Sequence, residues 1–465
     1  MSKSYDLVVI GGGPGGYVAA ARAASLGFKT AIVEKDRALG GTCLHRGCIP
    51  TKALLHAADT LDEVKHGSNI GIKASGVQVD WSEVQKYKER VVNTNAGGVA
   101  HLMKAKKIDV ITGFGRLKDK NTVSVLSNNE NTTLTAKHII VAVGSKPRDL
   151  PNADTGKNIL NSDTILPLKE IPGSLTIIGG GVIGIEFASI FARMGTKVTV
   201  LEALPRILAP ADPDCAKELK TQFEKQGVTF HVNVKIDKVS NKSKSAQVLF
   251  TDAKGSRVQL DSDYVLVSIG RIPVTKDVGL ENTKAKLDER GFVVVNGFMQ
   301  THEPNIYAIG DCVNTPWLAH IASKEGIIAV EHIKGLNPVP INYDHTPSCV
   351  YSEPPVAWAG LNEEEAKNRG LDFVVSKFDF SRNGKAAILQ KTRGFVKFIT
   401  DKRYGEILGV HIIGPDATEL LAEPAFAMQI EATVNDIADT IHAHPTLYEA
   451  IYEAALNAVG REVHG

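Results

Sequence analysis

The sequence predicts an α/β protein of several domains in which one strand–helix–strand unit occurs twice. The 465 residues correspond to about three domains at roughly 150 residues per domain. Residues 6–35 and 174–203 each contain an apolar run, a glycine cluster, a helical stretch and a second apolar run. Both copies then reach a glutamate at the same distance from the first glycine, so the repeat is the main evidence for the fold.

Each glycine cluster predicts a turn that binds the diphosphate of a dinucleotide. The first glycine permits a tight turn, the second lets the backbone approach a pyrophosphate, and the third lets the helix pack closely on the sheet. The helix N-terminus adds free N–H groups, and the glutamate can accept hydrogen bonds from ribose hydroxyls. Two ordinary turns are the alternative, but they would have to repeat the whole pattern. The residues in these roles are Gly11, Gly13, Gly16 and Glu34 in the first copy and Gly179, Gly181, Gly184 and Glu202 in the second.

The second copy favours NAD over NADP. A carboxylate at Glu202 would hydrogen-bond the ribose diol of NAD and repel the 2′-phosphate of NADP. Its neighbour is Ala203 rather than an arginine, although Arg206 lies close enough in sequence to leave NADP open.

Composition excludes several functional classes. The formal net charge is +1, which does not suggest a nucleic-acid or anionic-membrane partner. No apolar run approaches the roughly 18 residues of a membrane span. The N-terminal sequence lacks the features of a signal peptide or an Arg-rich transit sequence, so we expect a cytoplasmic protein.

Two of the five cysteines form a candidate redox pair. Cys43 and Cys48 are separated by four residues and lie near the start of a helical segment that follows Pro50. A half metal site is one interpretation, but no second cluster at metal-ligand spacing is evident, so we expect no metal. A second interpretation is that both cysteines are buried and chemically inert. A redox disulfide is favoured, because a helix N-terminus and the nearby Lys52 or Arg46 would stabilise a thiolate.

The segment around these cysteines resembles a known active-site motif. Residues 40–52, GGTCLHRGCIPTK, are similar to the motif of the pyridine nucleotide–disulfide oxidoreductases, and most similar to that of the dihydrolipoamide dehydrogenases. His45 and Thr51 depart from the usual Asn and Ser, but neither change removes a sulfur. The resemblance implies FAD and NAD as cofactors, with Cys43 as the interchange sulfur and Cys48 beside the flavin.

Other segments extend the resemblance over essentially the whole chain. The resembling segments are 141–148 and 301–311 for the flavin site, 317–326 beside the flavin ring, 267–273 for the exit from the NAD domain and 351–360 for the start of a dimerisation domain. Pro355 and Ala359 replace the customary Glu and Val. Lys52 would lie near the flavin, with Glu186 as its partner across the cofactor. Besides these two and the residues of the two turns, the implied cofactor contacts are Gly115, Gly144, Asp311, Ala319 and Gly270.

An acid–base pair is implied near the C-terminus. HPTLYE, residues 444–449, resembles the family's HPTxxE motif, in which His444 and Glu449 would act together. His442 lies close by but outside the motif. In the family this histidine reaches the disulfide of the other subunit, so the resemblance implies an obligate homodimer with shared active sites.

The resulting expectation is an α/β fold with two Rossmann-like domains, for FAD and NAD, and a C-terminal α+β dimerisation domain. We predict an FAD-binding domain with the redox disulfide over 1–150, an NAD-binding domain over 151–272, a central domain completing the FAD site over 273–345 and a dimerisation domain over 346–465. The implied activity is NAD-dependent oxidation of dihydrolipoamide carried by lipoyl domains of 2-oxoacid dehydrogenase complexes or the glycine cleavage system. The alternatives are a glutathione-reductase-like enzyme, a binding subunit of a large dehydrogenase complex and a flavin-based redox sensor.

Overall fold

The computed structural model describes residues 3–464. Both α-helices and β-strands occur along this range. The helices are α1 Pro14–Ser25, α2 Gly41–Arg46, α3 Cys48–His66, α4 Trp81–Ala105, α5 Ser162–Ile165, α6 Val182–Arg193, α7 Pro213–Lys225, α8 Ala319–Lys334, α9 Glu363–Asn368, α10 Gly384–Ile388, α11 Ala417–Leu420, α12 Ala422–Gln429, α13 Val434–Asp439 and α14 Glu449–Ala458.

The strands fall into parallel, mixed and antiparallel sheets. They are β1 Lys3–Ile10, β2 Thr30–Glu34, β3 Asp109–Thr112, β4 Phe114–Asp119, β5 Thr122–Ser127, β6 Glu130–Val141, β7 Ser145–Pro147, β8 Ile159–Leu160, β9 Ser174–Ile178, β10 Lys197–Leu201, β11 Thr229–His231, β12 Lys235–Asn241, β13 Ala246–Thr251, β14 Arg257–Ser262, β15 Tyr264–Val267, β16 Arg271–Pro273, β17 Ile306–Ala308, β18 Ser348–Val350, β19 Val356–Gly360, β20 Phe373–Asp379, β21 Phe395–Asp401 and β22 Ile407–Ile413.

The chain divides into two compact units. The first runs through residue 53 and adds residues 82–148 and 270–343. Its main sheet has the order β3-β2-β1-β6-β5-β4, with β17 also paired to β6. The strands β1, β2, β3, β6 and β17 pair in parallel, and both faces of this part are apolar and buried, as is typical of a sheet covered on both sides.

The second unit comprises residues 54–81 and 149–269 and the chain from residue 344 on. It contains a parallel sheet of order β11-β10-β9-β15-β8 and a three-stranded antiparallel sheet, β12-β13-β14. The C-terminal part forms an antiparallel sheet of order β18-β19-β22-β21-β20. Helix α14 packs on strands of this sheet through its buried residues, which form one apolar core with them.

The predicted fold class is confirmed, and both repeated units have the expected form. In the first, β1, α1 and β2 follow one another, with β1 and β2 parallel. In the second, β9, α6 and β10 do the same. The helix predicted after Pro50 begins two residues earlier, at Cys48, because proline is tolerated in the first turn of a helix, where its missing N–H has no intrahelical partner. The bounds of the four predicted domains stay predictions.

None of the described helices combines the length and the apolar composition that crossing a membrane requires.

Candidate active site

The first glycine turn leads from strand β1 into helix α1. Gly11 has φ +108°, a conformation that side chains with a Cβ rarely adopt, and a Cβ there would overlap the carbonyl oxygen of Ala142. A Cβ on Gly16 would overlap the carbonyl oxygen of Gly11. Gly13 is the N-cap residue of α1 and has no side chain to occupy the space in front of the helix. Among the described residues beyond its chain neighbours, the only atom within 4.0 Å of a Cβ built on Gly13 is the Cα of Gly41, so backbone rather than side chains borders the helix N-terminus here.

The second glycine turn repeats this geometry between β9 and α6. Gly179 has φ +109°, and a Cβ there would overlap the carbonyl oxygen of Ser268. A Cβ on Gly184 would overlap the carbonyl oxygen of Gly179. At Gly181, the N-cap of α6, a Cβ would meet no atom within 4 Å. The predicted glycine roles thus correspond to the same contacts in both copies.

The two glutamates that follow these turns are fixed in the same way. Glu34 accepts hydrogen bonds from the N–H groups of Gly12, at 2.6 Å, and Asp36, at 2.8 Å. Glu202 accepts from Gly180 at 2.6 Å and from Leu204 at 2.8 Å. A carboxylate has about four lone-pair sites, so each retains capacity to accept from a ribose diol.

A polar cluster surrounds the predicted flavin contact Asp311. This residue lies in a short 3-10 turn after β17 and accepts a hydrogen bond of 2.5 Å from the Ser145 hydroxyl. Arg271 donates to the Ser145 hydroxyl oxygen at 2.7 Å, and its guanidinium lies 4.0 Å from the Asp311 carboxylate. Gly144 and Gly270, both with positive φ, precede β7 and β16, which pair with each other. The sequence motifs covered Ser145 and Arg271, but nothing in them marked these side chains as partners of Asp311.

A buried carboxylate supports the same turn. Glu325, on α8, accepts from the N–H of Gly310 at 2.7 Å and from the Tyr343 hydroxyl at 3.0 Å. Burial raises the pKa of Glu325 against the opposing effect of these hydrogen bonds. Sequence reasoning missed this residue, because an isolated Glu in a helical pattern normally indicates a solvated face.

The redox pair lies where two helices meet. Cys43 is on α2, Cys48 is the first residue of α3, and Gly47 joins the two helices. The side chains of Cys43 and Cys48 are close enough for a hydrogen bond between the two sulfurs. This hydrogen bond and burial raise the pKa of Cys43 overall, and the positive charge of Lys52 only partly offsets them. The two sulfurs are thus in contact, and the positive charge of Lys52 favours the thiolate form of Cys43.

Three other predicted residues have defined surroundings. Arg46, one of the two expected thiolate-stabilising cations, forms an ion pair of 2.7 Å with Asp36. Glu186 is buried on α6, where its carboxylate accepts from the N–H of Tyr351 at 3.1 Å. The predicted pairing of Glu186 with Lys52 across a cofactor stays a prediction.

The predicted dyad is formed. The Nδ1 atom of His444 lies 2.8 Å from Oε1 of Glu449, the first residue of α14. Burial alone would raise the pKa of Glu449, but the hydrogen bond from the N–H of Thr446 and the contact with His444 lower it overall. The His444 side chain is 78% exposed, so the ring edge opposite Glu449 faces solvent.

His442 also pairs with a glutamate but is otherwise unlike His444. Its Nε2 lies 2.8 Å from Glu423, and its Nδ1 lies 3.0 Å from the carbonyl oxygen of Thr440. The side chain is only 7% exposed. Both ring nitrogens of His442 are therefore occupied, which fits its exclusion from the predicted site.

The remaining predicted contacts have simpler positions. Gly115 lies in β4, where a Cβ would come within 3.0 Å of Ile10 and 3.1 Å of Val33. Ala319 is the first residue of α8. These positions are compatible with packing as well as with a cofactor, so their binding role stays a prediction.

Two family models match the chain. The pyridine nucleotide-disulphide oxidoreductase model matches residues 5–326, and the dimerisation-domain model of the same group matches residues 346–455. The chain belongs to the pyridine nucleotide-disulphide oxidoreductase family. The resemblance inferred from residues 40–52 is therefore confirmed.

Similar proteins cover the full length of this family member. A dihydrolipoyl dehydrogenase of Bacillus subtilis is 45% identical, with 100% of each chain covered. A dihydrolipoyl dehydrogenase of Geobacillus stearothermophilus is 43% identical, over 99% of this chain and 97% of the relative. The crystal structure of LpdA from Mycobacterium tuberculosis has a TM-score of 0.90 at 26% identity and covers 97% of this chain and 99% of that chain.

The family's cofactors, FAD and NAD, fit the two glycine turns. Each turn has a glycine at the helix N-cap, where a side chain would occupy the space that a diphosphate needs. Each turn also has a carboxylate, Glu34 or Glu202, held in place by backbone N–H groups.

Proposed function

We propose that the chain is a dihydrolipoyl dehydrogenase, which oxidises protein-bound dihydrolipoamide to lipoamide and reduces NAD⁺ to NADH. The observation that carries the proposal is the contact between Cys43 and Cys48 at the start of α3, beside Lys52. A thiol pair in this arrangement can alternate between dithiol and disulfide. The full-length relatives named dihydrolipoyl dehydrogenase support this assignment of the substrate.

Disulfide exchange accounts for the first half of the reaction. With the pair oxidised, a substrate thiolate attacks the sulfur of Cys43, forms a mixed disulfide and releases Cys48 as a thiolate. The second substrate thiolate then attacks the substrate sulfur in this mixed disulfide. The substrate closes its own disulfide, and Cys43 is released. Two electrons have moved from the substrate to the cysteine pair.

Proton transfer in this half-reaction requires a base at the substrate thiol. His444 has the necessary chemistry, since its Nδ1 contacts Glu449 and its other nitrogen is on the exposed side of the ring. The ionised Glu449 fixes the tautomer of the ring and stabilises the imidazolium that forms when the ring takes the thiol proton.

Electron transfer out of the dithiol depends on the cofactors. Bound FAD would supply a two-electron acceptor for the dithiol, and bound NAD⁺ would supply the final hydride acceptor. Cys43 and Cys48 re-form their disulfide when they give up the electron pair and two protons. The first glycine turn with Glu34, together with Asp311, would hold FAD. The second turn with Glu202 would hold NAD.

We infer that the active enzyme is a homodimer in which His444 of one subunit serves the disulfide of the other. Exposed apolar side chains on the C-terminal part support this inference. Ile441 is 97% exposed, Phe426 65% and Ile430 58%, and burying these side chains against a partner would remove apolar surface from water. The match of residues 346–455 to a dimerisation domain gives independent support.

The proposed macromolecular substrate is a lipoyl domain of a 2-oxoacid dehydrogenase complex or of the glycine cleavage system. The alternative, reduction of glutathione disulfide by NADPH, receives less support. Glu202 disfavours the 2′-phosphate of NADP, and the relatives carry a different name.

The decisive experiment measures NADH formation from NAD⁺ and dihydrolipoamide without oxygen, using the purified flavin-loaded protein. We expect rapid NADH formation that is lost in Cys48→Ser and retained in the matched control Cys349→Ser. Turnover only with NADPH and glutathione disulfide would refute the proposal and replace it with the alternative.

A further inference from the structure

The loop after Glu202 carries an arginine beside the predicted NAD site. The N–H of Leu204 donates to the Glu202 carboxylate at 2.8 Å, and the N–H of Leu208 donates to the carbonyl oxygen of Gly180 at 2.9 Å. Arg206 lies midway between these two residues. The backbone of Arg206 is thus fixed on both sides to the groups that form the second nucleotide turn.

The guanidinium of Arg206 is held by a carboxylate from a distant part of the sequence. Nη1 and Nη2 contact the two carboxylate oxygens of Glu364 at 3.2 and 2.9 Å, a bidentate arrangement. Nη2 also donates to the carbonyl oxygen of Ala209 at 3.3 Å. Glu364 is the second residue of α9, whose capping box is formed by Asn362 and Glu365 rather than by Glu364. The carboxylate of Glu364 is therefore available for Arg206.

The chemistry of the pair bears on the choice of nucleotide. Arginine binds phosphate with the same fork of donors that it presents to a carboxylate. A free guanidinium on this loop would attract the 2′-phosphate of NADP and oppose the repulsion from Glu202. In the Arg206–Glu364 pair, however, both terminal nitrogens of the guanidinium are bonded to the carboxylate, which balances the positive charge, while Nε is buried without a hydrogen-bond partner among the described residues.

We propose that Glu364 is a specificity-determining residue, which disfavours NADP by holding Arg206 away from the 2′-phosphate. The proposal rests on the assignment of the second turn to NAD. Discrimination against NADP then has two parts. Glu202 repels the 2′-phosphate, and Glu364 binds Arg206, whose positive charge would otherwise offset that repulsion. The ligands that the Arg206–Glu364 pair would disfavour are adenine nucleotides that carry a 2′-phosphate.

The test compares binding of 2′,5′-ADP and NAD⁺ to full-length, flavin-loaded variants by calorimetry at one fixed ionic strength. The background is Glu202→Ala, in which direct repulsion is removed. We expect Glu202→Ala/Glu364→Ala to bind 2′,5′-ADP about tenfold more tightly than Glu202→Ala, a gain the size of one charge-assisted hydrogen bond. Adding Arg206→Leu should abolish this gain.

The matched control is Asp344→Asn in the same background. It removes the carboxylate that pairs with Arg369 at 2.7 Å, at the other end of α9. This control should leave affinity for 2′,5′-ADP unchanged, and Glu364→Gln should reproduce part of the gain without shortening the side chain. The proposal would be overturned if neither Glu364 variant bound 2′,5′-ADP more tightly. It would also be overturned if the gain in affinity survived Arg206→Leu, or if Asp344→Asn produced an equal gain. Failure of the wild-type protein to bind NAD⁺ would instead refute the cofactor assignment, and the proposal with it.

Discussion

His442 and His444 are two residues apart and each pairs with a glutamate, but the two pairs have different surroundings. His444 and Glu449 form the exposed pair, while His442 and Glu423 form the buried one. A base that must receive a proton from a bulky substrate needs an accessible ring nitrogen, which only the exposed pair offers. The buried pair instead ties the loop before α14 to α12, where Glu423 lies.

At the residue scale, we predict that Glu449→Gln lowers kcat for dihydrolipoamide oxidation by about a hundredfold, within the range for general acid–base catalysis. The neutral amide cannot stabilise the imidazolium. The measurement is steady-state NADH formation, with Glu423→Gln as the matched control. The control should change turnover only a few-fold, and equal losses in both variants would contradict the assignment.

The sequence predicted candidate chemical residues for this site but not the residues that support them. Cys43, Cys48, His444 and Glu449 lie in short local motifs, so their types and spacings are visible in the chain. Glu325 binds a turn 15 residues away through a backbone N–H. No local pattern reports such a contact, because it depends on how α8 packs beside that turn.

At the element scale, the repeated turns explain why alanine cannot replace the third glycine. In both α1 and α6, a Cβ would overlap the carbonyl oxygen of the first glycine of the turn. To remove this overlap, the helix must move away from the strand. This movement would shift the N–H groups that are predicted to face the diphosphate.

We therefore predict that Gly184→Ala weakens NAD⁺ binding at least tenfold while the bound flavin is retained, and that Gly16→Ala reduces flavin content. Calorimetry and the flavin absorbance of purified protein measure the two effects. The control is Gly97→Ala, a site on α4 where a Cβ meets no atom within 4 Å. This control should leave both cofactors unaffected, and loss of both cofactors in each turn variant would contradict separate sites.

Element prediction succeeded where periodicity was local. The units β1–α1–β2 and β9–α6–β10 were predictable because each is continuous in sequence. The ribbon between β7 and β16 was not, since it joins segments more than a hundred residues apart. The two motif segments, 141–148 and 267–273, contain these strands, but nothing in them indicated that the strands pair.

At the scale of the whole molecule, a buried ion cluster joins parts of the second unit. Lys397, on β21, has a side chain that is 2% exposed and contacts Asp212 at 3.0 Å and Asp214 at 3.1 Å. It also contacts Glu363. Asp212 is the N-cap residue of α7 and is fully buried. The cluster thus connects a helix of the nucleotide-binding part to the C-terminal sheet.

We predict that Lys397→Met lowers the free energy of unfolding by about 3 kcal/mol, because it leaves a buried carboxylate without its cation. Burial lowers the pKa of Lys397, but the hydrogen bond to Glu363 and the charge of Asp212 raise it overall. The contribution of Lys397 to the free energy of unfolding is therefore complete below the ordinary pKa of a lysine. It is lost only as the pH rises through the raised pKa of Lys397 in the folded protein. Urea unfolding of wild type and variant measures the difference.

At low pH, the difference in unfolding free energy between wild type and Lys397→Met depends on the carboxylates that contact Lys397. Burial alone would raise the pKa of Asp214, but the hydrogen bond from Lys397 lowers it overall. The stabilisation from Asp214 is present above its ordinary pKa of 3.8 and is lost as pH falls through its lowered value. We expect a constant difference between about pH 5 and pH 9 and a smaller one below about pH 4. A difference that vanished near pH 7 would contradict this account.

The proposed dimer gives a further prediction at this scale. Ile441→Asp places a charge where an almost fully exposed isoleucine would be covered by the partner subunit. We expect the variant to dissociate at protein concentrations where the wild type sediments as a dimer, and to lose activity in parallel. Sedimentation velocity measures the first effect, with Ile388→Asp, an exposed isoleucine on α10, as a comparison. A monomeric but fully active variant would refute shared active sites.

The hydrogen bonds that fix Glu34 and Glu202 have a thermodynamic consequence. Each carboxylate already lies in one rotamer, bonded to the N–H of a turn glycine, before any ribose arrives. Immobilising a flexible side chain on binding costs about 0.5–1.5 kcal/mol in conformational entropy. Here that loss occurs during folding, so nucleotide association does not incur it. The protein therefore meets its nucleotides with rigid acceptors, and the temperature dependence of nucleotide affinity should reflect desolvation rather than side-chain ordering.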